Sequence, residues 1–441
     1  MKALRVKNIR YHQEGFSRLV GFSIDTPVVN QCFDWPLIEI GGWVVGKDRP
    51  ITKVEFTLQV LNLPLQTTLV NLQIENSKRF LPQIKNNKNG GFYISYFSTI
   101  GLPPEFKILV NAIDCDEEVI PMASITIESK GDLKVKINDK VKINDLSHFQ
   151  PILVNALPHS GTTWLMRLLI AHPAIIGYPR YPYELCAASY WWHACRVLTM
   201  PSGIVGLSHP DLFWSDLQRT SGNPFFSRLY SDLVDWFKNI YVNRVLLYYK
   251  LVIDEFYRYI AKTYNKSNAI FFIEKQFVPW YSWFVWDLYP KTREIFLIRD
   301  WRDVFCSILA FNNKRGTMHS GYELADSDIA FAYRLAKSIS DIYEQFVMRS
   351  NKVLLVRYED LILDINNELK RTLDYIGADS NPSIIKMMIE QARLLDPFLE
   401  QRRTSRSAHE SIGRWKHDLS PESQEKVNFI FKDFLQSFGY D

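Results

Sequence analysis

The fold of the larger part of the chain follows from residues 152–164, which read ILVNALPHSGTTW. The first five, 152–156, form the short apolar run that is typical of a buried parallel strand. Apolar residues then recur at helical spacing over 164–169, and the pattern ends before Pro173. A strand, a glycine-containing turn and the beginning of a helix predict an anion site, because the first N–H groups of a helix have no helical partner.

The turn itself contains groups that suit a phosphate or sulfate. Ser160, Thr162 and Thr163 add hydroxyl donors, and Gly161 lets the backbone approach a ligand closely. A nucleoside-triphosphate loop of the Walker type needs a lysine after its last glycine, but Thr162 follows Gly161. The sequence therefore gives little support to Mg–ATP binding, and a Ser/Thr-rich helix cap remains the alternative.

Three more apolar runs with β-branched residues follow, at 269–273, 294–298 and 352–356. Stretches with helical periodicity separate them. This alternation predicts an α/β fold with a central parallel sheet and helices on both sides.

Arg299 comes directly after the run at 294–298, at the carboxyl end where open α/β sheets bind ligands. Its guanidinium is always charged and suits phosphate. Ser307 lies eight residues on, within the next expected helix. An exposed salt-bridge cluster at the beginning of that helix is an equally good interpretation of this stretch alone.

Residues 401–416 are strongly basic, with Glu410 as their one acid. The cations are Arg402, Arg403, Arg406, Arg414 and Lys416. A charge run is usually a solvated face. The interleaved serines also suit a loop that folds over phosphates.

Together these motifs resemble the sulfotransferases that use 3′-phosphoadenosine-5′-phosphosulfate (PAPS), over residues 151–441 and in the family's order. The resemblance implies that the donor's phosphosulfate is held by Ser160, Gly161, Thr162, Thr163 and Trp164. It also implies that Arg299 and Ser307 grip the 3′-phosphate. No metal is needed in this reading.

Three later positions complete the resemblance. Tyr358, in the stretch RYEDL, matches the family's tyrosine near the nucleotide. Arg414, in SIGRWK, lies in the late loop that closes on the donor. Lys275 ends another strand, as the family's Glu-Lys pair does.

One position departs from the family. His159 stands where a lysine or arginine usually stabilises the leaving phosphate. A histidine can donate a hydrogen bond and carries charge when protonated. We therefore expect His159 to keep the role with a pH dependence, or Lys275 or Arg414 to take it over.

The reaction also needs a base for the acceptor hydroxyl. Family members often place a glutamate after the His-Pro that ends the first helix, which favours Glu184, with His193 as the second candidate. A surface ion pair between Glu184 and Arg180 is the structural alternative. Aromatic residues at 178–192 and Trp280, Trp283 and Trp286 line either an acceptor pocket or the core.

Residues 1–130 read as an all-β region. Val54, Phe56 and Leu58 alternate with polar residues, and several such short runs with turns between them predict a small β-sandwich. It weakly resembles accessory modules of some bacterial sulfotransferases and glycosyltransferases. Residues 131–150 contain a tandem polar hexamer and read as a linker or edge hairpin, with the sulfotransferase-like domain at 151–441.

Composition narrows the function further. The chain has 52 Lys and Arg against 48 Asp and Glu, so a net charge of +4 does not indicate nucleic acid as a partner. The N-terminus does not resemble a signal peptide, no apolar run is long enough for a transmembrane helix, and five scattered cysteines fit a reducing compartment. We therefore expect a cytoplasmic enzyme that transfers sulfuryl groups from PAPS to a hydroxyl of a carbohydrate or other sizeable metabolite. The alternatives are an ATP-dependent phosphotransferase and a nucleotide-binding protein of this fold without turnover.

Overall fold

The structure is a computed structural model of the 441-residue chain. The residues that it describes are 3–33, 37–59, 63–70, 72–73, 89–97, 103–130, 136–138, 141–142, 149–199, 233, 236–276, 281–316, 318, 320–394 and 403–440.

The chain separates into two compact units. The first comprises 1–146, 191–250 and 283–288, and the second comprises 147–190, 251–282 and 289–441. The domain limits expected near residues 130 and 150 stay a prediction. Within 131–150, two short antiparallel strands pair with each other, at Lys136–Asn138 and Val141–Lys142.

The N-terminal part of the first unit is built from antiparallel strands. In chain order they are β1 (Ala3–Tyr11), β2 (Leu19–Thr26), β3 (Cys32–Phe33), β4 (Leu37–Gly46), β5 (Ile51–Leu58), β6 (Leu63–Leu69), β7 (Leu72–Gln73), β8 (Asn89–Phe97), β9 (Glu105–Asp114) and β10 (Val119–Lys130). One short helix, α1 (Gln13–Arg18), lies between the first two strands. The strands form a six-stranded sheet in the order β3-β1-β10-β9-β5-β6 and a four-stranded sheet in the order β2-β4-β8-β7.

The two sheets share one apolar core. In β5 the alternating side chains of Val54, Phe56 and Leu58 are fully buried, as the sequence predicts. They belong to the same cluster as Ile40 and Ile94 of the four-stranded sheet. The expected β-sandwich is therefore confirmed.

The second unit contains the parallel sheet. The two short strands at 136–142 are β11 and β12. The strands of the parallel sheet are β13 (Gln150–Asn155), β14 (Ile175–Ile176), β15 (Phe271–Gln276), β16 (Arg293–Ile298) and β17 (Val353–Arg357). Their order is β14-β15-β13-β16-β17, and every adjacent pair is parallel. Four of these strands coincide with the apolar runs in the sequence, so the predicted α/β fold is confirmed.

The rest of the described chain contains helices joined by loops and turns. They are α2 (Thr162–Ala171), α3 (Ala187–Thr199), α4 (Val242–Thr263), α5 (Tyr281–Leu288), α6 (Trp301–Arg315), α7 (Asp328–Arg349), α8 (Tyr358–Leu363), α9 (Ile365–Ile376), α10 (Pro382–Ala392), α11 (Trp415–Asp418) and α12 (Pro421–Ser437). A π-helical turn, Phe237–Tyr241, precedes α4.

Side chains on both faces of the parallel sheet are covered by helices. On one face, Val154 and Ile295 share a core with Leu165 of α2. On the other face, the ring of Phe272 stacks on Tyr257 of α4 with 4.3 Å between centroids. This two-sided burial explains why the strands read as continuous apolar runs in the sequence.

An ion pair lies inside this unit. The side chains of Glu294 and Arg349 are both 0% exposed, and Arg349 Nη2 donates to Glu294 Oε1 at 2.7 Å. Ser282 Oγ donates to the same oxygen at 3.0 Å. Burial raises the pKa of Glu294, so the carboxylate depends on these donors to stay charged.

We predict that Arg349→Met destabilises the protein by about 3–5 kcal/mol, because it leaves a buried carboxylate without its cation. Urea denaturation measures this change. The control is Lys370→Met, which breaks an exposed pair with Asp374 at 2.7 Å and should shift the urea midpoint far less. Equal shifts in the two variants would contradict the assigned role of the buried pair.

Candidate active site

The site lies at the carboxyl edge of the parallel sheet, where four strand ends meet. Strand β13 leads into the turn at 158–161, and Lys275 lies near the end of β15. Arg299 directly follows β16, and Tyr358 directly follows β17. Parallel strands bring residues that are up to 200 positions apart in the sequence to one edge, which is the usual ligand-binding edge of such sheets.

The turn before α2 depends on Gly161. This residue caps the helix with φ = 88°, in the left-handed region that favours glycine. A Cβ atom added there would lie 2.3 Å from Cδ2 of Tyr358. The tyrosine ring therefore packs directly on the glycine, and the helix begins with its N–H groups facing the site.

Arg299 is 5% exposed and connects several segments of the site. Its Nη1 donates to the carbonyl oxygen of His159 at 3.1 Å, and its Nη2 donates to that of Ser411 at 2.5 Å. Its guanidinium lies 4.7 Å from the centroid of the Tyr358 ring. Within the described part of the chain, the buried Nε of Arg299 has no hydrogen-bond partner.

His159 and Ser307 are brought into contact, although 148 positions separate them. Nδ1 of His159 lies 3.1 Å from Oγ of Ser307. The imidazole also packs edge-on against Phe311, with 5.3 Å between ring centroids. One ring nitrogen is thus oriented by Ser307, and the ring as a whole is fixed.

Lys275 and Glu184 form an ion pair of 2.6 Å, with side chains 6% and 18% exposed. The partner of Glu184 is therefore Lys275, and the surface pair with Arg180 is not found among the described residues. Glu274, the neighbour of Lys275, accepts hydrogen bonds from the backbone N–H groups of Ala188 and Ser189 at the beginning of α3. These contacts fix the end of β15 from which Lys275 projects.

The basic segment, defined here as residues 403–416, also reaches the site. Arg414 is 8% exposed, and its Nη1 donates to Thr404 Oγ1 at 3.0 Å. Its Nε donates to Asp418 at 2.7 Å. Oη of Tyr358 lies 3.0 Å from Oγ of Ser411. The predicted late loop thus lies against the residues that follow β16 and β17.

A cavity of about 880 Å³ joins these features. Ten of the twelve residues that the sequence predicts for the site line it: His159, Gly161, Thr162, Thr163, Trp164, Glu184, Lys275, Arg299, Tyr358 and Arg414. The other two lie close behind it, since Ser160 is 1% exposed within the turn and Ser307 contacts His159.

Other candidates lie elsewhere. His193 is on α3 and is not among the described residues that line the cavity. Trp283 is buried against Trp286, and neither lines the cavity, whereas Tyr181 does. Trp280 lies outside the described residues.

Sequence reasoning missed Asp303, which is 0% exposed and accepts backbone hydrogen bonds from Gly413 and Trp415. Burial raises its pKa to about 6. The only sequence signal is an acid in the first turn of the helix after Arg299, which is also a common helix-start feature.

The described residues contain no group of three or more His, Cys, Asp or Glu side chains arranged to hold a metal ion. Among the helices in the described part of the chain, none has the length and apolar character needed to cross a membrane.

The model of the sulfotransferase family matches residues 151–382, which is more than half of the chain. The chain therefore belongs to the sulfotransferase family. No curated protein matches it.

Several solved sulfotransferase structures are similar at low identity. A sulfotransferase domain from the curacin biosynthetic pathway is 16% identical over 66% of this chain and 98% of that domain, with a TM-score of 0.38. A mouse sulfotransferase complexed with PAP is 13% identical over 67% of this chain and 88% of its own, with a TM-score of 0.35. A sulfotransferase from Mycobacterium avium is 15% identical over 70% of this chain and 82% of its own, with a TM-score of 0.35.

We predict that Gly161→Ala destabilises the protein by about 1–3 kcal/mol more than Gly316→Ala does, because only the first adds an overlap with a packed ring. Both glycines have positive φ values, 88° and 64°, but an added Cβ at Gly316 meets nothing within 4 Å. The difference in urea midpoint between the two variants measures the Tyr358 contact. Similar losses in both variants would contradict a close packing of Tyr358 on this turn.

Proposed function

We propose that this protein transfers a sulfuryl group from PAPS to an acceptor hydroxyl. The observation that carries the proposal is the gathering, around one cavity, of the α2 N-terminus, the buried Arg299 and the Lys275–Glu184 pair. The first two suit the phosphates of a nucleotide, and the third combines a cation with a carboxylate that can accept a proton.

The residues present fit the anionic groups of the donor. The buried Nε of Arg299, unpaired within the described part of the chain, is an N–H that a phosphate oxygen can satisfy. The hydroxyl groups of Thr162 and Thr163 lie at a helix N-terminus, where the helix dipole favours negative charge. The volume of about 880 Å³ lies within the range of small-molecule sites.

PAPS, when bound, supplies an activated sulfuryl group whose departure leaves negative charge on a phosphate. The α2 N-terminus and the Lys275 ammonium are positioned to stabilise such charge. His159 adds a ring held by Ser307, so its contribution to leaving-group stabilisation would depend on its protonation.

Glu184 is the proposed general base. Its carboxylate lines the cavity and is only partly exposed, and Lys275 holds it in place through the 2.6 Å contact. A base must lie within hydrogen-bond reach of the proton that it accepts, and the carboxylate of Glu184 lies on the cavity wall. The geometry therefore supports Glu184 as the base.

The acceptor is proposed to be a carbohydrate or another sizeable metabolite. Tyr181, three positions before Glu184, also lines the cavity. An aromatic ring there suits such a molecule because its face is apolar.

Turnover is favoured over simple nucleotide binding. A histidine at position 159, where the family usually has a lysine or arginine, favours a binding protein without turnover. Lys275 provides a cation within the same cavity, together with a carboxylate partner. The turn before α2 contains no lysine, which disfavours an ATP-dependent phosphotransferase.

We predict that Arg299→Ala weakens binding of 3′,5′-adenosine bisphosphate, the nucleotide product of PAPS, by about 10- to 100-fold, because a charge-assisted phosphate contact is lost. Isothermal titration measures the affinity for the bisphosphate, and a separate titration with ATP–Mg²⁺ gives the comparison. The matched control is Arg293→Ala, at the opposite end of the same strand, which should bind as the wild type does. Unchanged affinity in Arg299→Ala would show that the 3′-phosphate lies elsewhere.

We predict that Glu184→Gln lowers turnover by about 10²–10⁴-fold while leaving bisphosphate affinity unchanged, because glutamine keeps the contact with Lys275 but cannot accept a proton. Transfer of label from ³⁵S-PAPS to the acceptor of the wild-type protein measures the rate. Retained activity would assign the base to another residue.

A further inference from the structure

Asp303 is a buried carboxylate that neither the donor motifs nor the proposed chemistry uses. It lies in the first turn of α6 and is 0% exposed. Its Oδ2 accepts the backbone N–H of Gly413 at 2.7 Å, and its Oδ1 accepts that of Trp415 at 3.1 Å. The two N–H groups belong to the residues immediately before and after Arg414, so one carboxylate fixes the backbone on both sides of that arginine.

The two hydrogen bonds to Asp303 are of a kind that stabilises the backbone around Arg414. Hydrogen bonds to an ionised acceptor are roughly twice as strong as neutral ones. Loss of the acceptor would leave a buried backbone N–H unsatisfied, which is costly because that group has already lost its hydrogen bonds to water. Gly413 has φ = 68°, so the chain turns sharply at this point, and Asp303 lies where it can hold that turn.

The rest of the basic segment is held by residues of the donor site itself. Nη2 of Arg299 donates to the carbonyl oxygen of Ser411, and Oη of Tyr358 lies 3.0 Å from its hydroxyl. Those two residues also line the cavity, so a bound donor would compete for their polar groups. Asp303 is not among the described lining residues, and its contacts with the segment do not depend on a ligand.

We propose that Asp303 is a positioning residue that holds the basic segment against the donor cavity and thereby sets where Arg414 presents its charge. That the ligand of this cavity is PAPS rests on the proposed function. Asp303 acts through Arg414 and through the backbone, and it does not touch the reacting groups.

The first test is Asp303→Asn, which keeps the shape of the side chain but replaces one acceptor oxygen by an NH₂ group facing a backbone N–H. We expect faster hydrogen–deuterium exchange in the peptide that contains Gly413 and Trp415. We also expect affinity for 3′,5′-adenosine bisphosphate to fall by about tenfold. The matched control is Glu368→Gln, since Glu368 is a buried acid of α9 that accepts hydrogen bonds from Arg371 and, among the described residues, none from the basic segment. It should leave both measurements close to those of the wild type.

The second test asks whether the effect passes through Arg414. In a double-mutant cycle, Asp303→Asn should cost little further affinity in the Arg414→Ala background. A role in general stability alone would instead give additive losses.

The third test uses pH. The pKa of Asp303 is raised to about 6, chiefly by burial; the N–H groups of Trp415 and Gly413 and the charge of Arg299 lower it, and the charge of Asp300 raises it. Arg414 and Asp418, from the segment that packs on α6, both influence Cys306, three positions further along the helix. Above this pKa the carboxylate accepts both N–H groups, and below it the protonated acid accepts one fewer, as asparagine does. The ratio of wild-type to Asp303→Asn affinity should therefore shrink towards one as the pH falls through about 6. The nucleotide's own change of charge with pH affects both proteins equally and so drops out of this ratio.

The outcomes separate this proposal from the proposed function. Unchanged exchange of the segment in Asp303→Asn overturns the positioning role, whether or not the nucleotide binds. Additive losses with Arg414→Ala overturn the route through that arginine. Failure of the wild-type protein to bind the bisphosphate overturns the proposed function, and with it the donor part of this proposal.

Discussion

The site depends on the contacts that the guanidinium of Arg299 makes with three segments of the chain. This guanidinium is buried, charged and bonded to the carbonyl oxygens of His159 and Ser411, and it packs over the ring of Tyr358. A buried cation needs hydrogen-bond acceptors close to it. Here the partners come from the turn after β13, the beginning of α8 and the basic segment. Arg299 therefore holds three distant parts of the chain in one arrangement, and its remaining Nε is the group that a ligand can satisfy.

The other features of the site follow from the same geometry. The parallel sheet delivers each side chain at a strand end, and buried carboxylates then fix the segments that follow. Glu274 holds the beginning of α3 near Lys275, and Asp303 holds the backbone around Arg414. The backbone next to two of the cavity's cations, Lys275 and Arg414, is in this way held by acids that are not among the described lining residues. Glu184 is the one carboxylate among the described lining residues, which suits the proposed role of proton acceptor beside an anionic donor.

Much of this could be predicted from the sequence, because the signals are local. The four apolar runs predicted strands β13, β15, β16 and β17, since buried parallel strands have no polar face to obscure them. The turn at 158–164 and Arg299 were predicted because their position after a strand places them at the ligand-binding edge. The role of Asp303 could not be predicted, since its partners lie 110 and 112 positions away. The pairing of Glu184 with Lys275 across 91 positions was missed for the same reason.

The proposed function requires Arg299 Nε to bind a phosphate of the nucleotide. A crystal structure of the protein with 3′,5′-adenosine bisphosphate would show whether it does. We expect a phosphate oxygen within hydrogen-bond distance of Arg299 Nε, about 2.7–3.2 Å, with the other phosphate at the N-terminus of α2. A nucleotide bound away from this edge of the sheet, or one that leaves Arg299 Nε unpaired, would overturn the proposed donor site.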